Sequence, residues 1–402
     1  MKILIPNATG PSNIGDQSML IVLLDLLRQV YKDAEIVVHT SNPEMYSNKF
    51  PHSISPSIYQ IVGLHQKGEW KQIFGVIQYL IFLFITVNGT QIKTKNSLAR
   101  IFNDYKTADL IVFVGGGYLR SRPGWSQSLN LVLQLSMFYL ASACKARTIV
   151  APISFGPFAS FWQAKLSAWF LKRLDFVSAR EEISYELMDR CLMKNVVMSS
   201  DHALLLRRSK KLIGEASVIG FTIRNWSKNV TRQKNLECAY VQALHRFHLV
   251  TGWTVQPIIQ ATAINMPNED DRFAVGRVYR QLKKLKVIVK KPSAIKNLSD
   301  AINIYSRLGL LLGMRMHSNI IAATQGVPFV AVSYEYKTEG IAKQIDMQKY
   351  CIKYEQVDKD KLFNLLVEVY GKRKYLKNKL TNSLATIQNV ETQKWNNYLS
   401  NK

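Results

Sequence analysis

The chain has 402 residues, 47% of them hydrophobic, with no Ser/Gly/Pro-rich or acidic tract; that is enough for two ordinary domains and gives no compositional case for long disorder. Its 53 Lys and Arg against 28 Asp and Glu leave a formal +25, more than solubility needs, so an anionic partner is implied. The basic residues are scattered without zinc-finger spacing, an RNP-like motif or a heptad-linked basic region, which ranks nucleic acid below a membrane face or a small anion. Cys144, Cys191, Cys238 and Cys351 form no C-x-x-C pair, so neither a metal site nor a disulfide framework is indicated.

Strand-like apolar runs alternate with helix-like segments along the whole chain, the signature of parallel α/β architecture. The first half predicts strands at Ile3–Pro6, Glu35–His39, Leu110–Val114, Thr148–Pro152 and Phe176–Ser178, with helices near 16–30, 126–143, 160–173 and 180–190. The apolar opening is too short for a signal peptide, so a cytoplasmic protein is expected. After the first strand, the turn Asn7 to Asp16 carries Gly10 and Gly15, which let backbone N–H groups approach a ligand, and Asn13 and Asp16, which can bond sugar hydroxyls. It is neither a Walker loop nor a G-x-G-x-x-G turn, and an ordinary capped loop with Asp16 at the N-cap is the competing reading.

The segment Ile73 to Val87 reads IFGVIQYLIFLFITV, with Trp70 and Lys71 before it and Lys93 and Lys95 after it. Spanning a bilayer takes about 20 apolar residues, so this run is too short to cross. It is either a buried helix or, as a membrane-facing segment over 70–95, a patch dipping into the anionic inner face of a membrane. Further on, strand Leu110–Val114 enters Gly115-Gly116-Gly117, where three glycines make room for a ligand or for close packing, and Ser154-Phe155-Gly156-Pro157 ends the next strand similarly. Arg180 and Asp201 also sit at strand ends and suit a structural ion pair as well as a substrate contact.

A polar, basic stretch at 206–216 reads as a linker, dividing an N-terminal domain (1–205) from a C-terminal domain (217–358) and a helical tail (359–402). The second half predicts strands at Val218–Ile223, Thr254–Ile259, Val287–Lys290, Gly309–Gly313 and Phe329–Ser333, with helices near 235–250, 269–285, 299–307, 318–325 and 338–346. Two doubly wound, Rossmann-like domains place their ligands in a cleft at the carboxyl ends of the strands. At such ends stand Arg224, then Arg315 and His317 in Gly313-Met314-Arg315-Met316-His317-Ser318, then Lys337. Arginines from two strand ends suit a ligand bearing both a phosphate and a carboxylate, Lys337 adds a third cation, and His317 is the best general acid or base in the chain.

In this order, Asn13-x-Gly15-Asp16, Gly115-Gly116-Gly117, Ser154-x-Gly156-Pro157, Arg180, Asp201, Gly220-x-x-x-Arg224, Arg315-x-His317, Gly326-x-Pro328 and Tyr334-x-x-Lys337 resemble the polysaccharide pyruvyl transferase family over most of the chain. His202 stands where the family pattern usually has proline after the aspartate. The resemblance implies a GT-B-like pair of domains and transfer of pyruvate from phosphoenolpyruvate to two hydroxyls of a sugar, lipid-linked or not, in a cell-surface or exopolysaccharide precursor. It agrees with the residue-level reading of His317 and Arg315 as catalytic residues, and of Arg224, Lys337, Asn13, Gly15, Asp16, Gly115, Gly116 and Gly117 as substrate-binding ones. No metal or cofactor is expected beyond phosphoenolpyruvate as co-substrate. Two rivals are a GT-B glycosyltransferase with a nucleotide-sugar donor and a non-catalytic, membrane-associated assembly factor.

Overall fold

The computed structural model describes residues 1–9, 13–45, 52–62, 69–87, 97–209, 217–226, 229–262 and 270–400. Gly10, residues 88–95 of the apolar segment and residues 210–216 of the expected linker lie outside them. By internal contacts the chain forms two units: Met1–Pro11, Met19–His202 and Trp395–Lys402 make the first, Ser12–Ser18 and Ala203–Lys394 the second.

In chain order the first unit's elements are β1 (Lys2–Ala8), α1 (Ile14–Val30, whose first turn clusters with the second unit), β2 (Glu35–Thr40), β3 (Ser53–Pro56), α2 (Ile58–Ile61), α3 (Glu69–Val87), α4 (Ser97–Thr107), β4 (Leu110–Phe113), α5 (Trp125–Ser142), β5 (Arg147–Ile153), α6 (Phe161–Leu171), β6 (Phe176–Ala179), α7 (Glu182–Arg190) and β7 (Val196–Met198). The sheet is parallel throughout, in the order β3-β2-β1-β4-β5-β6-β7, and turns outward in both directions from the β1/β4 neighbours. Strands buried on both faces read as continuous apolar runs, and Leu110–Phe113 of β4 is buried at every position.

The second unit's elements are β8 (Val218–Thr222), α8 (Val230–Thr251), β9 (Thr254–Ile259), α9 (Asp271–Lys284), β10 (Ser293–Ala294), α10 (Leu298–Tyr305), β11 (Leu310–Gly313), α11 (Met316–Thr324), β12 (Phe329–Ser333), α12 (Tyr336–Gln344), β13 (Cys351–Lys353), α13 (Lys359–Gly371) and α14 (Arg373–Ser400). Its parallel sheet runs β10-β9-β8-β11-β12-β13. The strand expected at Val287–Lys290 is only a bridge: Val289 pairs with Val255, whose N–H and C=O bond Ile288 and Lys290. Pro292 has no N–H to continue a ladder, and the pairing resumes at β10.

The end of α14 belongs to the first unit, where Trp395 is fully buried, lies edge-on to His202 at 4.6 Å and donates from Nε1 to Ser199 Oγ at 2.9 Å. The apolar helix α3 has two apolar faces. Val76, Tyr79 and Leu83 enter the core beside Phe102 and Tyr105 of α4, whereas Trp70, Phe74, Ile77, Ile81 and Phe84 are exposed. Among the described residues no helix is long and apolar enough to cross a membrane.

Candidate active site

The second sheet brings three cations to one edge. Thr222 ends β8 opposite Gly313, the last residue of β11, and Gly313 in turn pairs with Ala331 of β12. Arg224 and Arg315 each follow two residues after a paired position, so they emerge from neighbouring strands at the same level. Lys337 begins from the next strand, in the first turn of α12. All three are held close to the protein: Arg224 and Lys337 are buried and Arg315 is nearly so.

Each cation has a built environment. Arg315 directs Nε and Nη2 at Asp271 Oδ1, at 3.0 and 2.6 Å, while Asp271 Oδ2 accepts the N–H groups of Gln260 (3.2 Å) and Ala261 (3.0 Å). The sequence suggested a fork extended to a ligand, and the structure turns that fork onto a carboxylate of the protein. A guanidinium this far from water needs a buried counter-charge. Burial pushes the Asp271 carboxyl up, while the charge and hydrogen bonds of Arg315 and the Ala261 N–H pull against that shift. Arg224 donates from Nη1 to the Tyr334 hydroxyl at 3.1 Å and lies near the faces of Trp226 and Tyr334, whose rings meet with centres 4.4 Å apart and planes tilted by 41°. Gln233 of α8 fixes this turn, donating to the Arg224 carbonyl and accepting the Trp226 N–H. Lys337 stands 3.9 Å from Glu335.

His317 lies in the first turn of α11, with Arg315 at the N-cap. The Thr222 hydroxyl, which accepts the Met314 N–H at 3.1 Å and bonds Ser318 Oγ at 2.9 Å, ties this turn to β8. Against the imidazole lies Gly15. A Cβ on Gly15 would stand 2.2 Å from His317 Nδ1 and 2.4 Å from its Cγ, so any other residue there would have to displace the ring. The rest of the Asn13–Asp16 turn holds Gly15 there: Asn13 Oδ1 accepts the Gly15 N–H at 3.1 Å, and Asn13 Nδ2 donates to Asp16 Oδ2 at 2.9 Å. Asn13 also bridges to Ala261, the residue beside the Asp271 carboxylate. The helix-capping role considered for Asp16 falls to Asn13, which directly precedes α1.

The structure thus gathers His317, Arg315, Arg224, Lys337, Asn13, Gly15 and Asp16 within the second unit. Gly115, Gly116 and Gly117 lie in the first. Gly116 pairs with Ile153 at a φ of 142°, and a Cβ on Gly115 would stand 2.5 Å from the Pro152 carbonyl oxygen. Close packing on the Pro152 carbonyl suits glycine at 115 and the positive φ suits it at 116, both buried; Gly117 is partly open. Arg180 is also buried; it donates to Ser154 Oγ at 2.7 Å and pairs with Asp201 at 2.8 Å. Sequence reasoning missed Asp271, Trp226 and Gln233. The only sequence signal for the first was an acidic run, Glu269-Asp270-Asp271, in a strongly basic chain.

The curated protein "Amylovoran biosynthesis protein AmsJ" of Erwinia amylovora is 23% identical over 374 residues, covering 86% of each chain. Among solved structures, Anabaena HepE in complex with UDP-glucose superposes with a TM-score of 0.58 at 14% identity, over 100% of this chain and 99% of that one. UDP-GlcNAc 2-epimerase of Neisseria meningitidis gives 0.57 at 11%, over 100% of both chains. These likenesses identify the fold: two Rossmann-like, parallel-sheet domains of the GT-B kind. The sequence pattern described as "Polysaccharide pyruvyl transferase" matches residues 13–336, from the Asn13 that holds Gly15 against His317 to the helix that carries Lys337, and the chain belongs to that family.

Proposed function

We propose that the protein transfers the pyruvyl group of phosphoenolpyruvate to two hydroxyls of one sugar in an exopolysaccharide precursor, forming a cyclic ketal. The observation that carries this reading is the row of Arg224, Arg315 and Lys337 on adjacent strand ends with His317 beside them. A donor with a phosphate and a carboxylate needs two separated cationic contacts, and such a row supplies them. Family membership and the similarity to AmsJ support a role in polysaccharide modification.

In this reading C3 of the donor takes a proton, which makes C2 electrophilic. One sugar hydroxyl adds to C2 and gives up its proton, the C2–O bond to phosphate breaks, and the second hydroxyl closes the ketal. Of the two hydroxyl protons, one replaces the proton delivered to C3 and the other leaves with inorganic phosphate. His317 moves the proton, and Arg224 and Arg315 stabilise charge on the departing phosphate. Asp271 holds the Arg315 guanidinium in place. The reaction as written calls for no metal.

The test is a melting-temperature shift with phosphoenolpyruvate beside UDP-sugars, followed by phosphate release in the presence of a glycan acceptor. Stabilisation by phosphoenolpyruvate and acceptor-dependent phosphate release are expected. Stabilisation by a UDP-sugar alone, with no phosphate release, would overturn the reading in favour of glycosyl transfer.

A further inference from the structure

The helices α3, α5 and α6 of the first unit carry a set of exposed apolar side chains. Along α3, Trp70 (84% exposed), Phe74 (62%), Ile77, Ile81 and Phe84 (71%) recur every three or four residues and so form one stripe down the helix. The opposite stripe, Val76, Tyr79 and Leu83, is buried, so the exposed residues are not core positions left open. The Tyr79 hydroxyl accepts a hydrogen bond from Ser136 of α5 at 3.2 Å, and Tyr139 of α5 meets Phe170 of α6 edge-on. The three helices are therefore neighbours. On α6, Phe161, Trp162 and Trp169 are also exposed.

Charge on these helices is sparse and one-sided. Helix α5 has no ionisable side chain except Tyr139, and across all three helices the only carboxylate is Glu69, at the start of α3. The cations sit beside the aromatic rings: Lys165 Nζ is 5.1 Å from the Phe161 ring centre, and the Arg173 guanidinium is 3.2 Å from that of Trp169. Lys172 adjoins them in sequence. An apolar face this wide, set with tryptophans and cations and almost free of carboxylates, does not suit a protein partner, whose rim would want paired charges. It suits the boundary of an anionic bilayer, where apolar side chains enter the acyl region, indole rings sit among headgroups and lysine and arginine meet lipid phosphate.

We infer that the α3–α5–α6 face docks the protein on the surface of an anionic membrane, without spanning it. A 19-residue helix that is apolar on two faces then has an account: one face builds the core and the other enters the interface. The inference is independent of the chemistry proposed for the second unit, since its residues all lie in the first.

The experiment is flotation of the full-length protein with vesicles of phosphatidylcholine alone or with about one-third phosphatidylglycerol. Binding to the anionic vesicles, weakened by salt, is expected. Phe74→Ser with Ile77→Ser and Ile81→Ser should lower the partition coefficient at least about a hundredfold without lowering the melting temperature, because these side chains are already exposed. Lys165→Glu with Arg173→Glu should remove the preference for anionic lipid, whereas Leu249→Ser, exposed on the second unit, should change nothing. Failure to float with anionic vesicles overturns the inference. So does concentration-dependent self-association that the serine variant abolishes in the absence of lipid, which would assign the face to a second copy of the chain.

Discussion

Gly15→Ala tests whether the turn at Asn13–Asp16 acts through His317. Gly15 lies in the first turn of α1, where alanine is ordinarily the better helix former by up to about 1 kcal/mol, so local propensity predicts no loss of stability. The added Cβ, however, would stand 2.2 Å from His317 Nδ1, 2.4 Å from Cγ and 2.5 Å from Cε1. Ordinary contact requires the ring to retreat by about 1 Å, and three ring atoms on one side cannot be relieved by a small torsion. A displacement of about 1 Å in a catalytic group costs on the order of a hundredfold in rate. The expected result is kcat for acceptor-dependent phosphate release down roughly 100-fold, with donor affinity nearly unchanged because the cations remain in place. His317→Ala alone should lose about 10²–10⁴. If Gly15 matters only through that ring, the double variant should be no slower than His317→Ala, a non-additivity of about 3 kcal/mol. Wild-type kcat in Gly15→Ala, or losses that multiply in the double variant, would refute the reasoning.

Asp271→Asn keeps the shape of the Arg315 partner but removes its charge, leaving a nearly buried guanidinium without its counter-ion; chemical denaturation should show a loss of about 3 kcal/mol, and a loss below about 1 kcal/mol would mean the pair is not what holds Arg315. His202 is buried and its pKa is lowered to about 4 by desolvation, although Asp201 beside it pulls the other way. The unfolded chain protonates this residue near 6.5, so between those values the unfolded state binds the extra proton and stability falls as pH drops through that window, by roughly 3 kcal/mol in all, with no effect above it. His202→Phe, packed against Trp395, should flatten that part of the stability-against-pH curve measured by urea denaturation, and an unchanged slope would place the acid sensitivity elsewhere.

The α/β class, the central strands and the order of the strand-end motifs were legible in the sequence because strands buried on both faces must be continuous apolar runs. Those runs at Leu110, Thr148, Val218, Gly309 and Phe329 all became strands within a few residues of the expected bounds. The strands that could not be read, β3, β7, β10 and β13, are the four sheet edges, where a segment of two to four residues pairs on one side only and needs no apolar run. Glycines could be seen but not their use: Gly15 and Gly115 both occur in glycine-bearing turns after strands, yet one receives an imidazole and the other a backbone carbonyl. Ion pairing was the least accessible level. Arg315 and Asp271 are 44 positions apart, and only the pairing of β8 with β9 and β11 brings their strand ends together, so that Arg315 meets a buried carboxylate is decided by the fold. The apolar run of α3 shows the same division: its length ruled out a bilayer crossing from sequence, but only the packing of Val76, Tyr79 and Leu83 against the core determined which half of the helix remains outside.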